Sequence, residues 1–343
     1  MHLRRTATVA LIAACTFAGL GTGPALAEEG DVTWTVRTAS NTFGEDRSSY
    51  SYSVNPGGTV EDAMIVANRG KDPVELTVYA ADGFTTDTGQ LDVGTRDKKA
   101  VAVGAWLKAG TTALTIPAGR TVEVPFAVTV PANATPGDYV GGLVTSMTQP
   151  DQTETINVER RLGIRVKLRV GGDLLPTVAI EDLHVGYAGS LNPFTKGDAT
   201  VTYTIHNTGN AALSAQQTAE ITGPFGTFRA RAGTIEQSPE LLPGESWKVT
   251  VPVPGIAPAF RLTATATLTP VLTDASGSLT SLKPVTATAG TWAGPWALLL
   301  LVVLLIAAVI AATIVSRRRR VRRKLAEDAR VQEAVEQALQ RQA

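Results

Sequence analysis

At 343 residues the chain is long enough for about two domains of ordinary size. Its 31 basic and 31 acidic residues cancel, but seven of the basic ones crowd into Arg317–Lys324. The remainder is net acidic, which argues against nucleic acid as its partner, because phosphate binding needs clustered cations. A single cysteine (Cys15) and three histidines leave no material for a disulfide framework, a Cys/His zinc site or a His-dependent triad, so any core must be held by apolar burial.

The amino terminus reads as a secretory signal over 1–27: Arg4 and Arg5, an apolar run Ala7–Leu20, then Ala25-Leu26-Ala27 as a small-x-small cleavage site. A rival reading is lipoprotein processing at Cys15, since Ile12-Ala13-Ala14-Cys15 resembles a lipobox. The apolar run continues past Cys15 and the chain has a second anchor, so cleavage after Ala27 is the expectation.

Between residues 31 and 288, period-2 patterns recur between Gly, Pro, Asn and Asp turns, the signal of β-sandwiches. Val32, Trp34 and Val36 alternate with polar residues, as do Tyr50, Tyr52 and Val54. Val122, Val124, Phe126, Val128 and Val130 make the longest clean alternation, and Val201, Tyr203, Ile205 and Trp247, Val249, Val251, Val253 follow in the second half. An internal repeat sharpens this. Asn68-Arg69-Gly70 and Asn207-Thr208-Gly209 each end a strand, and Ile116-Pro117-Ala118-Gly119 and Leu242-Pro243-Gly244-Glu245 each precede a later one. Both turn types supply residues tolerant of positive φ. The predicted fold is all-β: two tandem immunoglobulin-like β-sandwiches over 31–171 and 176–288, plus one transmembrane helix and a short cytoplasmic helix.

The anchor is 296–316, where Ala297–Val315 is free of charge and long enough to cross a hydrocarbon core. Trp292 and Trp296 mark its outer edge, and Arg317–Arg320 hold the other end inside. No Leu-Pro-x-Thr-Gly precedes it, so retention in the membrane is expected rather than transfer to the wall. The tail, 317–343, continues as an amphipathic helical pattern, either a flank lying along anionic lipids or a contact for a cytoplasmic partner.

Chemically the most informative stretch is Glu159–Val170. As a strand it places Arg161, Arg165, Lys167 and Arg169 on one face and Leu162, Ile164, Val166, Leu168 and Val170 on the other. Cations about 6.6–7 Å apart could bind carboxylates of stem peptides or phosphates of wall polymers. The plain alternative is a solvated strand face, and a third is docking of the second half through Asp173 or Glu181. Trp34 and Trp247 fall in phase with buried positions, whereas Trp106 is out of phase and is the candidate for a ring open to a sugar; Tyr139 begins an inward-facing strand. Asp82, Asp87 and Asp92 do not have the spacing of a calcium loop and read as a hairpin rich in turn formers. Asn133-Ala134-Thr135 matches a glycosylation sequon and reads as a turn. Neither a phosphate loop nor HExxH occurs, so no enzyme, cofactor or metal is expected.

In order, the chain carries Tyr50-Ser51-Tyr52-Ser53-Val54-Asn55-Pro56-Gly57-Gly58, the strand ending Asn68-Arg69-Gly70, and Val130-Pro131-Ala132-Asn133-Ala134-Thr135-Pro136-Gly137-Asp138-Tyr139. Gly141-Gly142-Leu143-Val144 and Arg160-Arg161-Leu162-Gly163-Ile164-Arg165-Val166 follow, before a second domain, a membrane helix and a basic tail. This series, over residues 31–285, resembles the WxL-interacting protein family of bacteria. The resemblance implies a membrane-distal peptidoglycan-binding domain, a second immunoglobulin-like domain, and a role in holding peptidoglycan or other surface proteins. It assigns no binding residues position by position. The expectation is a non-enzymatic, single-pass scaffold of the cell membrane, its amino-terminal region outside and its carboxy terminus in the cytoplasm. The alternative is an accessory ectodomain that binds a surface protein without touching glycan.

Overall fold

A computed structural model describes residues 33–150, 157–189, 192, 195–273, 278–294 and 296–340. The predicted signal segment and Cys15 lie outside the described residues. In chain order the first ten strands are β1 (Trp34–Thr38), β2 (Tyr50–Val54), β3 (Thr59–Asn68), β4 (Val74–Thr85) and β5 (Leu91–Val93), then β6 (Leu107–Ala109), β7 (Ala113–Ile116), β8 (Thr121–Thr129), β9 (Gly137–Pro150) and β10 (Asn157–Val170). A one-turn helix, α1 (Val103–Trp106), precedes β6. One sheet runs β1-β3-β8-β6; the other runs β2-β10-β9-β4-β5, with β7 also on β4.

These two sheets enclose one core. Trp34, Met64, Val66, Val124, Phe126 and Val128 come from the first, and Tyr50, Val78, Leu143, Val166 and Leu168 from the second. The alternation in the sequence is the cause: each second residue of these strands points inward, and burying the inward set removes apolar area from water at about 25 cal/mol per Å2. Polar atoms that this drags inside are paired. Trp34 Nε1 donates to Thr145 Oγ1 at 2.8 Å, and the Tyr50 hydroxyl donates to the Ala63 carbonyl at 2.8 Å. Asp62 is buried and accepts from Arg47 Nη1 (2.8 Å), the Tyr52 hydroxyl (2.5 Å), Asn41 Nδ2 (2.6 Å) and its neighbour's N–H (2.7 Å). Burial pushes its pKa up, but the bonds from Arg47 and Tyr52, with those from Ala63 and Asn41, outweigh it and hold the carboxyl below its ordinary value.

A second core is built from β11 (Val178–Ala188), β12 (Gly197–Asn207), β13 (Ser214–Thr222), β14 (Ala230–Arg231), β15 (Ser246–Ile256), β16 (Phe260–Thr273), β17 (Leu279–Ser281) and β18 (Val285–Ala293). Its sheets run β11-β12-β15 and β14-β13-β16-β17, with β18 also on β16. Tyr203, Ile205 and Val251 meet Ile221, Leu262 and Ala266 across the gap. Tyr203 donates its hydroxyl to Gln217 Oε1 at 2.8 Å, and burial pushes its pKa up to about 12.

The internal repeat has a physical meaning different from the one predicted. Neither Asn68, Gly70, Asn207 nor Gly209 has a positive φ; only the later Gly119 (φ +67°) and Gly244 (φ +81°) do. Each asparagine is instead a buried latch. Asn68 Oδ1 accepts from the Gly70 N–H at 2.8 Å, while Nδ2 donates to the carbonyls of Asp72 (2.7 Å) and Ile116 (3.0 Å). Asn207 Oδ1 accepts from Gly209 at 3.1 Å, and Nδ2 donates to Ala211 and Leu241, both at 2.9 Å. Asn68 thus pins the end of its strand to Ile116, just before Pro117, and Asn207 pins its own to Leu241, two residues before Pro243.

Beyond β18 the chain forms a single helix, α2 (Trp296–Gln340), 45 residues long. Its most apolar stretch has a mean hydropathy of 3.3, enough by length and composition to cross a membrane. A separate short helix in the tail was expected; the helix runs through instead, because no glycine or proline interrupts residues 297–340.

Candidate functional site

Arg161, Arg165, Lys167 and Arg169 alternate along β10 with half-buried Leu162 and buried Ile164, Val166, Leu168 and Val170, so all four leave the sheet on its outer side. They do not stay together as a ligand row. Lys167 Nζ donates to Glu240 at 3.0 and 2.9 Å, reaching the second sheet pair; both side chains are over a third exposed, so solvent screens the pair. Arg169 makes a bidentate pair with Asp138 on neighbouring β9, Nε to Oδ1 at 2.6 Å and Nη2 to Oδ2 at 2.8 Å. The same Asp138 Oδ2 accepts the Ala212 N–H of the second sheet pair at 2.9 Å. The strand does help dock the second half, but through Glu240 and Asp138. Glu181 faces His206 at 2.8 Å, and Asp173 contributes only its carbonyl, to Asn210.

The seam between the two sheet pairs centres on Pro136-Gly137-Asp138, which the sequence marks only as a turn. The Asp138 N–H donates to the Asn210 carbonyl at 2.8 Å, and Asn210 Nδ2 donates back to the Pro136 carbonyl at 3.0 Å. Gly137 has φ +147°, and a Cβ there would meet the Asn210 carbonyl oxygen at 2.5 Å, so the close approach requires glycine. At a second point Glu245 accepts from the Thr85 N–H (2.7 Å) and hydroxyl (2.6 Å), tying the end of β4 to the turn before β15.

Arg161 and Arg165 lie further along β10, away from the seam. With Asp92, Val93, Val144 and Ile164 they line a cleft of about 320 Å3 that also takes in Gly142 and Gly163. Side chains cover both glycines: a Cβ at Gly142 would meet Val93 at 2.7 Å, and one at Gly163 would meet Val144 at 3.1 Å. The Tyr79 hydroxyl is the first influence raising the Arg161 pKa, and Asp92 adds to it. Arg161 Nη1 and the Tyr79 hydroxyl are both enclosed without a hydrogen bond of normal geometry.

Trp106, the last residue of α1, is half-buried, its ring 4.8 Å from that of Tyr139 and tilted by 60°. Tyr139 pairs with Leu168, on the inner side of the sheet, as its predicted inward direction requires. Trp106 therefore borders the core on the opposite face from the cations, and the structure does not bring it together with Arg161, Arg165, Lys167 and Arg169.

No family model and no curated protein matches the chain. Among solved structures it is similar to the YadV chaperone, at 12% identity over 75% of this chain and 100% of that one, with a TM-score of 0.34. A chain of a chaperone–tip adhesin complex of CFA/I fimbriae biogenesis (9% identity, 75% and 98%, TM-score 0.38) and the E. coli chaperone DraB (11% identity, 74% and 98%, TM-score 0.30) are similar to a like degree. Likenesses this distant carry no argument about what the chain binds.

The acidic residues near the β4–β5 hairpin have a local use. Asp82 accepts from the N–H groups of Val101 (2.6 Å) and Gly104 (2.7 Å), capping the approach to α1. Asp92 Oδ1 bonds the Val93 N–H at 2.7 Å.

Proposed function

We propose that this is a membrane-tethered, non-enzymatic surface protein whose two immunoglobulin-like domains, 31–171 and 176–288, associate with peptidoglycan or an anionic wall polymer. Residues 296–316 form the span and 317–343 the cytoplasmic tail. One observation carries the ligand reading: Arg161 and Arg165 line one cleft, away from the seam that occupies Lys167 and Arg169. Guanidinium groups are suited to carboxylates and phosphates. The order of sequence features shared with WxL-interacting proteins supports the same reading.

The test is co-sedimentation of the detergent-solubilised full chain with insoluble cell wall. Binding at low salt is expected, weakened by Arg161→Gln with Arg165→Gln and less by Lys167→Gln. A chain that stays in the supernatant at low salt refutes the proposal.

A second reading, an accessory subunit for another surface protein, is favoured by β2. It is the terminal strand of its sheet, paired with β10 on one side only. An extended segment from a partner could add there as a strand. Retention of a stoichiometric complex on membranes stripped of wall, lost when β2 is changed by Ser51→Pro, is the result that separates this reading from the first.

A further inference from the structure

The end of the second sheet pair nearest α2 carries large rings that neither core absorbs. Strand register fixes their common location. Thr222, which ends β13, pairs with Thr263 near the start of β16, and Phe260 at that start pairs with Ala293, which ends β18. The turn Pro224–Gly226, the start of β16 and the end of β18 thus share one end of the sheet, and α2 begins at Trp296, just beyond Ala293. From this end project Phe225 (103% exposed), Phe228 (62%), Phe260 (54%), Trp292 (77%) and Trp296 (77%).

Three of these rings sit on backbone that bulky residues avoid. Phe225, Phe228 and Phe260 have φ of +57°, +51° and +61°, and they are three of the five non-glycine residues with positive φ among those described. The turn that presents Phe225 and Phe228 is closed by the Gly223 N–H on the Thr227 carbonyl (2.6 Å) and by the Thr227 hydroxyl on the Pro224 carbonyl (2.7 Å). An outward phenylalanine gains nothing from water, so strain that holds several outward together needs an apolar surface to receive them. Cations flank the rings: Arg229 is exposed, and exposed Arg261 pairs with Trp292 in register. Aromatic rings beside guanidinium groups suit the boundary of a bilayer, with rings at headgroup depth and cations at phosphates.

We propose that this end of the second sheet pair rests on the outer leaflet of the membrane that α2 crosses, with Phe225 and Phe228 inserted at headgroup depth. This rests on the reading of α2 as a span. The ectodomain is then seated on the lipid at two places, the helix and the phenylalanine turn, and its direction from the membrane is set.

The test uses the full chain, with Cys15→Ser, reconstituted in vesicles of phosphatidylcholine and phosphatidylglycerol and spin-labelled at one introduced cysteine at a time. Phe225→Cys probes the turn, Thr227→Cys probes it with both rings kept, Lys71→Cys marks the far end of the first sheet pair, and Val309→Cys marks the middle of α2. Accessibility to lipid-soluble oxygen relative to a water-soluble nickel complex should be several-fold higher at 225 and 227 than at 71. In a Phe225→Ser, Phe228→Ser background the label at 227 should move to the accessibility of 71. Labels at 225 and 227 as wet as 71, with 309 in lipid, overturn the proposal alone; a wet 309 overturns the span itself. Shielding of 225 and 227 from both reagents would assign the rings to a second copy of the chain and overturn the lipid contact.

Discussion

Asp138→Asn is the sharpest perturbation of the seam, because it keeps the shape of the side chain and removes its charge. The carboxylate holds Arg169 by two bonds of 2.6 and 2.8 Å and the Ala212 N–H by a third of 2.9 Å. Bonds to a charged group are worth about 1.5–3 kcal/mol each when shielded. Here Asp138 is 11% exposed but Arg169 is 31% exposed, so solvent screens the Arg169 share. One carboxamide oxygen can serve only part of this set, and its NH2 faces a donor. The expected loss is about 2 kcal/mol in the docking of the two sheet pairs, roughly a 30-fold rise in the open population. Hydrogen exchange read by mass spectrometry at the segment around Ala212 should speed up by that factor, with the core strands β12 and β16 unchanged. The double variant with Arg169→Met should be less than additive, as groups in contact are. Unchanged exchange at Ala212 would mean that the seam is held elsewhere and would refute the argument.

Arg47→Met should destabilise the first core by about 3 kcal/mol at neutral pH, because it strands the buried Asp62 carboxylate. In the parent chain the folded pKa of Asp62 is depressed, so its contribution is present above the unfolded value of about 3.9 and is lost as pH falls through the lower folded value. Without Arg47 that carboxyl moves up, so the gap between variant and parent should narrow as pH drops below about 4, measured by urea unfolding followed by exchange in β2 and β3; a gap independent of pH would contradict this. Asn68→Ala and Asn207→Ala each remove three bonds of a buried amide and should cost about 1–3 kcal/mol in their own core only, Asn207→Ala the less because the Leu241 carbonyl and the Gly209 N–H keep the Leu213 N–H and the Thr177 carbonyl. Exchange mapped separately over the two cores checks that independence.

Much of the strand pattern was legible because alternation is local: Tyr50 and Tyr52, or Val201 and Tyr203, report their own burial. The two faces of β10 were legible for the same reason. What each cation meets was not, since Lys167 finds Glu240 across 73 residues and no spacing encodes that. Pro136-Gly137-Asp138 looked like a turn, and its seam role depends on Asn210, 74 residues from Pro136. The repeated Asn-x-Gly was visible as a repeat, yet its reason lies in side-chain bonds to carbonyls that only the fold brings near. Trp106 could not be placed because α1 is a single turn, too short for any periodic signal.

Within the first core, β2 pairs with β10 in parallel, Tyr50 beside Val166 and Val54 beside Val170. A chain delivered amino terminus first offers β2 long before its partner has arrived. Until residue 170 is out, Tyr50 and Tyr52 have no strand beside them, and the loop that must close exceeds a hundred residues. Completion of this core then waits on one cationic strand, whose last residues pair with β2 and whose Arg169 meets Asp138.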